Sequence, residues 1–151
     1  MEKSGLREIG KLLLSIFIPS LYLLPMIAIY LLPKDFGFGY RFLVYFGLSC
    51  AAIGLGLWIW AMAVLGDRLA VFPGAKSLAR NGIYRIFRHP IYVGITFTLF
   101  GFILACGSTV GMVYLIVVVL PLNRFRAAKE EQALLEKFGD DYRNYLNETL
   151  F

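Results

Sequence analysis

The sequence predicts an all-α integral membrane protein with four transmembrane helices and a cytoplasmic C-terminal helical tail. Three observations lead there. Of the 151 residues, 59% are apolar, against about 45–50% in soluble domains. Only 17% are charged, and these residues cluster. Between the clusters run uncharged stretches long enough to cross a bilayer core, which takes about 20 residues of helix. The length suits a single domain over residues 1–151.

The first uncharged stretch, residues 12–33, contains Pro19 and Pro25, which membrane helices tolerate as kinks. The apolar run after Met1 to Lys11 is too long for a signal peptide and has no small-residue cleavage site, so it reads as a retained span. A short polar connection leads to the second stretch, residues 42–66. There Ala51, Ala52, Gly54 and Gly56 suit close helix packing. Trp58 and Trp60 fall near its end, where an interfacial aromatic belt would lie.

Residues 67–89 carry five Lys or Arg and the turn signals Pro73-Gly74 and Asn81-Gly82. That loop is too charged to cross a bilayer. Residues 90–123 are then free of charge. One helix of that length would reach roughly 50 Å, beyond the roughly 30 Å hydrocarbon core. Two short spans, 90–106 and 109–123, joined by a turn at Cys106-Gly107-Ser108-Thr109, fit better. Short spans draw their flanks, His89 and Arg124 to Arg126, toward the interface. The tail, 124–151, reads as an interfacial helix to Phe138, a stop at Gly139 and a second short helix. Tyr142 and Tyr145 on that helix read as interfacial anchors.

Charge sets the orientation. With four spans, the N-terminus, the 67–89 loop and the tail lie on one side and hold 13 of the 15 Lys and Arg. Lys34 and Arg41 lie on the other. The positive-inside rule puts both termini in the cytoplasm.

Several function classes fall away. Net charge is +5, but no aromatic-interleaved basic groove or nucleic-acid motif accompanies it. His89 is the single histidine, so no multi-histidine metal site is expected. Cys50 and Cys106 lie in apolar runs and read as reduced, buried thiols. No span holds an ionisable residue, which argues against an ion pathway. The sequence leaves oligomeric state open.

The chemistry concentrates where the two charged segments flanking the hairpin meet. Pro90 suits the first position of a helix, where its missing N–H is not needed. His89 then stands at or near the N-cap. Arg126 and Glu130 are four residues apart and share a helix face. Glu131, with Glu136 and Lys137, reads as a solvated face. Taken singly, these features amount to a helix cap and a surface ion pair, worth about 0.3–0.5 kcal/mol.

Together they carry more. The run from Gly82 through Tyr84, Arg88-His89-Pro90 and Tyr92 to Gly94 resembles the motif Gly-x-Tyr-x-x-x-Arg-His-Pro-x-Tyr-x-Gly. The tail run Arg126-x-x-x-Glu130-Glu131, continuing through Leu134, Phe138-Gly139, Tyr142 and Tyr145, resembles a second motif of the same family. The family is the isoprenylcysteine carboxyl methyltransferases and related membrane phospholipid methyltransferases. The resemblance spans roughly residues 76–145.

It implies methyl transfer from S-adenosyl-L-methionine. By the same resemblance Lys76, Ser77, Leu78, Ala79, Tyr84, His89, Pro90, Ile91 and Tyr92 would line the cofactor. Glu130 would bind a polar part of it, and Arg126 would face the methyl acceptor. The residue chemistry is compatible. A glutamate answers an ammonium or hydroxyls, and amides at a helix start answer an anion. Arginine's planar fork holds a carboxylate. A carboxylate acceptor is already nucleophilic, whereas an amine or thiol would need a base such as His89 or Glu131. The expectation is a membrane methyltransferase for a lipid-like or prenylated acceptor, with the isoprenylated cysteine carboxylate as one candidate. A phospholipid amine, a small thiol, or a non-enzymatic membrane scaffold are the alternatives.

Overall fold

The computed structural model describes residues 20–31 (24 and 28 apart), 34–36, 40–66 and 78–150. Among these, all regular structure is helical. α1 lies within Ser20–Leu31, α2 is Arg41–Leu65, α3 is Pro90–Cys106, α4 runs Thr109–Phe138 and α5 is Asp140–Glu148. A single 3₁₀ turn, Gly82–Arg85, precedes α3. Residues 12–19, 24, 28, 32 and 33 of the first expected span and residues 67–77 of the 67–89 loop, including Lys76 and Ser77, lie outside the described residues.

Two helices, α2 and α4, are long and apolar enough to cross a membrane; α1 and α3 are shorter apolar helices. α2 is apolar all round. Phe42, Tyr45, Phe46, Ile53, Ile59 and Trp60 all face outward and exposed. A helix apolar on every side is either a deep core element or a lipid-facing one. In this chain it is largely uncovered, so hydrocarbon is the solvent that suits it.

α2 and α3 form the tightest seam, antiparallel and set by small residues seven apart. Gly47 faces Gly101, and Gly54 faces Gly94; a Cβ on Gly101 would fall 2.3 Å from the Ala51 nitrogen. Side chains are absent there so that backbones can approach. Gly56, expected in the same role, has nothing within 4 Å. α1, α3 and α4 enclose a separate core of Ile29, Leu99, Ile103, Leu115 and Val119.

The hairpin turn falls where the sequence places it. Gly107 adopts φ 65°, and a Cβ there would also sit 2.1 Å from the Phe36 oxygen, so only glycine fits. Ser108, fully buried, caps α4 by accepting the Gly111 N–H at 3.1 Å. The Asp35 and Phe36 amides donate to the Gly107 carbonyl at 2.9 and 3.1 Å, and Asp35 Oδ1 accepts the Thr109 N–H at 2.8 Å. That amide holds the Asp35 carboxyl below its ordinary range.

α4 differs from the expected short span followed by a separate interfacial helix. It continues unbroken for 30 residues to Phe138, about 45 Å at 1.5 Å per residue. Pro121 sits inside it and cannot donate to the carbonyl one turn back. The π turn at Leu115–Val119, just upstream, absorbs the mismatch without ending the helix. Gly139, at φ 51°, ends it as expected. α5 then folds back with Tyr142, Tyr145, Leu146 and Thr149 on one face. Tyr142 and Tyr145 are buried, at 1% and 4% exposure. They are packing residues, not interfacial anchors, because the 78–89 loop covers that face.

Candidate active site

The 3₁₀ turn seats the loop before α3. Gly82 begins it at φ 60°, and Ile83 and Tyr84 bury against Ala61 of α2 and Ala79. The chain then reaches Pro90, the buried first residue of α3. His89 occupies the N-cap position, yet its ring makes no cap. It turns toward α4.

There the ring bridges two carboxylates. Nε2 lies 3.0 Å from Glu131 Oε1, and Nδ1 lies 3.6 Å from Glu130 Oε2. The Tyr92 hydroxyl donates to Glu130 Oε2 at 3.3 Å. Burial disfavours the protonated ring, but its hydrogen bonds to the accepting Glu130 and Glu131 carboxylates and then their charges outweigh that, so the His89 pKa is raised. Carboxylates facing both ring nitrogens favour the imidazolium over the neutral ring.

Arg126 stands one turn before Glu130 on α4 and does not pair with it among the described residues. Its guanidinium sits 5.5 Å from the Tyr92 ring centre, a cation–π contact. Below it the buried Asn123 accepts from the Tyr22 hydroxyl and donates Nδ2–H to Thr96 Oγ1 at 2.9 Å. α1, α3 and α4 therefore share one polar cluster at the end of the apolar region.

A family profile described as phospholipid methyltransferase matches residues 42–141. The chain belongs to the phospholipid methyltransferase family. This is a family of membrane methyltransferases, and the matched residues include α2, α3, the loop before α3 and all of α4. A stretch of 55 residues is 34% identical to an uncharacterized protein of Haemophilus influenzae, covering 36% of this chain and 87% of that protein. No solved structure matches.

Within this phospholipid methyltransferase fold the expected site residues separate into groups. His89, Tyr92, Glu130 and Arg126 converge. Tyr84 is buried beside them, its hydroxyl pKa pushed up by burial and then by the Glu130 charge. Pro90 is fully buried, and Ile91 packs against the Ala79–Tyr84 cluster. Leu78 is half-buried and Ala79 buried in that cluster, with no described contact to the carboxylates. Lys76 and Ser77 lie outside the described residues. The start of α3 offers an anion little: Pro90 has no N–H, and the Tyr92 and Val93 amides both donate to the His89 carbonyl.

Asn123 and Tyr22 enter as residues that the sequence reading passed over, and Glu131 and Arg88, present in its motifs, take other parts than it gave them. Glu131 is His89's nearer partner, not part of a solvated face. Its adjacency to Glu130 was the available signal, since successive helix residues point about 100° apart and can flank one ring. Asn123 was visible as the polar residue ending an apolar run. Tyr22 is separated from it by about a hundred positions, and only the fold joins them. Arg88 binds the C-terminus of α5, donating to Leu146 O at 2.6 Å and to Thr149 Oγ1 and O at 3.1 Å.

Proposed function

We propose that this protein transfers a methyl group from S-adenosyl-L-methionine to a lipid-like acceptor that arrives from the bilayer, at the cytoplasmic interface. The observation that carries the reading is the His89 bridge between Glu130 and Glu131, which joins both charged segments across the hairpin. The residues fit the cofactor's chemistry: carboxylates for its ammonium and ribose hydroxyls, and Tyr84 and Tyr92 for its apolar surfaces. When bound, the cofactor supplies an electrophilic methyl group. The chain's own task is alignment and exclusion of water.

His89 fixes the glutamates. When protonated it offsets the repulsion between the two carboxylates, and Glu130, 3.6 Å from the ring and 42% exposed, keeps capacity for a ligand. Arg126, half-buried and held over Tyr92, would offer its cation to an anionic acceptor. The carboxylates beside His89 favour its protonated form, so the ring is less available as a base, and the reading favours an acceptor that is nucleophilic without losing a proton. A carboxylate such as that of an isoprenylated cysteine meets that requirement; a phospholipid amine is the second reading, favoured by the family's description. On the four-span reading with both termini in the cytoplasm, Arg126 and Glu130 would lie on the side rich in Lys and Arg.

Calorimetry with the detergent-solubilised protein tests the cofactor: micromolar binding of S-adenosyl-L-methionine is expected, and no binding at high micromolar cofactor would overturn the reading. A screen of prenylated thiols, prenylcysteine carboxylates and phosphatidylethanolamine with labelled cofactor then identifies the acceptor.

A further inference from the structure

α5 is fastened to the loop before α3 along its whole length. Arg80 Nη2 donates to the Asp141 carbonyl at 2.5 Å near its start. The Tyr145 hydroxyl donates to the Tyr84 carbonyl at 2.6 Å in its middle. At its end Arg88 binds Leu146 and Thr149, and the Leu150 amide donates to the Ile86 carbonyl at 2.9 Å. The last carbonyls of a helix have no partner within it, and here a guanidinium from another segment supplies one. α5 is thus a fixed wall beside Tyr84 and His89.

One group on that wall is left over. Tyr142 is 1% exposed, and its hydroxyl is the one fully buried side-chain polar atom without a hydrogen-bond partner among the described residues. Tyr145, one turn on and equally buried, has its partner. A buried hydroxyl without a partner destabilises a protein, and phenylalanine would fill the same space without that cost. Such a group calls for an acceptor the chain does not contain. Its surroundings narrow the choice. Burial first, then the charge of Glu131 and after it Tyr145 and Glu130, raise the Tyr142 pKa against an opposing Arg88, so the hydroxyl stays protonated and feels both carboxylates and one guanidinium.

Building on the methyl-transfer reading, we propose that the Tyr142 hydroxyl binds the nucleoside half of the methyl donor, donating to a ribose oxygen or an adenine nitrogen. The amino-acid half fits this place less well: its carboxylate would meet the charges of Glu131 and Glu130, and the Arg88 guanidinium is already engaged by Leu146 and Thr149. A ribose suits it, because its oxygens accept from the tyrosine while its hydroxyls donate to the glutamates.

The test compares the full chain with Tyr142→Phe in detergent. Thermal unfolding is measured without ligand, and calorimetry is run with S-adenosyl-L-methionine and with 5′-methylthioadenosine, which lacks the amino-acid half. The variant is expected to melt at or above the parent, by about 1–4 °C, and to bind both ligands about tenfold more weakly. Equal affinity in the two proteins would mean that a buried water satisfies the hydroxyl, and would overturn the proposal. So would a lower melting temperature without ligand, which would reveal a protein partner. Weakened binding of S-adenosyl-L-methionine alone would place the contact on the amino-acid half. If the parent binds neither ligand, the methyl-transfer reading fails and takes this proposal with it.

Discussion

The two ends of the α3–α4 hairpin solve opposite problems with opposite residues. At the Gly107 end, described polar groups are answered locally: amides by carbonyls, Ser108 by Gly111, Asp35 by Thr109. The residues are small, the spacing is tight and nothing is held in reserve. At the His89 end, three ionisable side chains from two helices face one another, the glutamates about two-fifths exposed, and a buried hydroxyl has no partner. One end fixes shape. The other keeps polar capacity for something that the chain itself does not supply.

Substitutions at the two ends should therefore separate stability from ligand binding. The largest effect belongs to the packing seam. Gly101→Leu would drive a side chain into the backbone at Ala51, and overpacking of this kind exceeds the usual 1–3 kcal/mol. Loss of a monodisperse peak on size exclusion in detergent is expected, whatever ligand is present. At the charged end, Glu130→Ala should weaken S-adenosyl-L-methionine binding about 10- to 100-fold, the range for a hydrogen bond to a charged group. Arg126→Ala should leave that affinity within about threefold and lower turnover, as the proposed place of Arg126 with the acceptor requires. Single-turnover assays beside calorimetry distinguish the two.

A smaller effect follows from His89. Its folded pKa is raised above the ordinary value near 6.5. The protonated ring therefore contributes stability that is complete below about pH 6.5 and is lost as pH rises through the raised value. Thermal melts from about pH 5.5 to 9 should show that decline, and His89→Gln should remove it. The smallest effect is at the turn: Ser108→Ala loses a helix cap, about 1 kcal/mol, and should lower the melting temperature without changing cofactor affinity. A change in affinity there would break the separation between the two ends.

Much of this architecture is legible in the residues. Uncharged runs mark α2 and α3, and Gly107-Ser108 announces a left-handed turn followed by a cap. His89 and Glu130 flank the same hairpin, so their meeting follows from its closure. The continuity of α4 was not legible, because Arg124 marks a change of solvent and helical hydrogen bonds do not require one solvent throughout. Tyr142 and Tyr145 were misread for a related reason. Tyrosine suits both an interface and a core, and only the 78–89 loop lying over α5 decides between them. The spacing of Tyr142, Tyr145, Leu146 and Thr149 on one face held that information, but it does not name the covering segment. The roles of Arg88 and Tyr22 depend on contacts between residues about 60 and 100 positions apart, which no local pattern encodes.

The unbroken α4 also works as a ruler. Its N-terminus is pinned by Ser108 and Asp35, and Glu130 and Glu131 are carried on the same rigid rod roughly 30 Å away. A bilayer that thickens or thins moves its headgroups along that rod while the carboxylates keep their distance from the pin. For the acceptor proposed above, the depth at which its polar head would meet Arg126 would be graduated in lipid chain length, giving the site a preference among membranes before any preference among substrates.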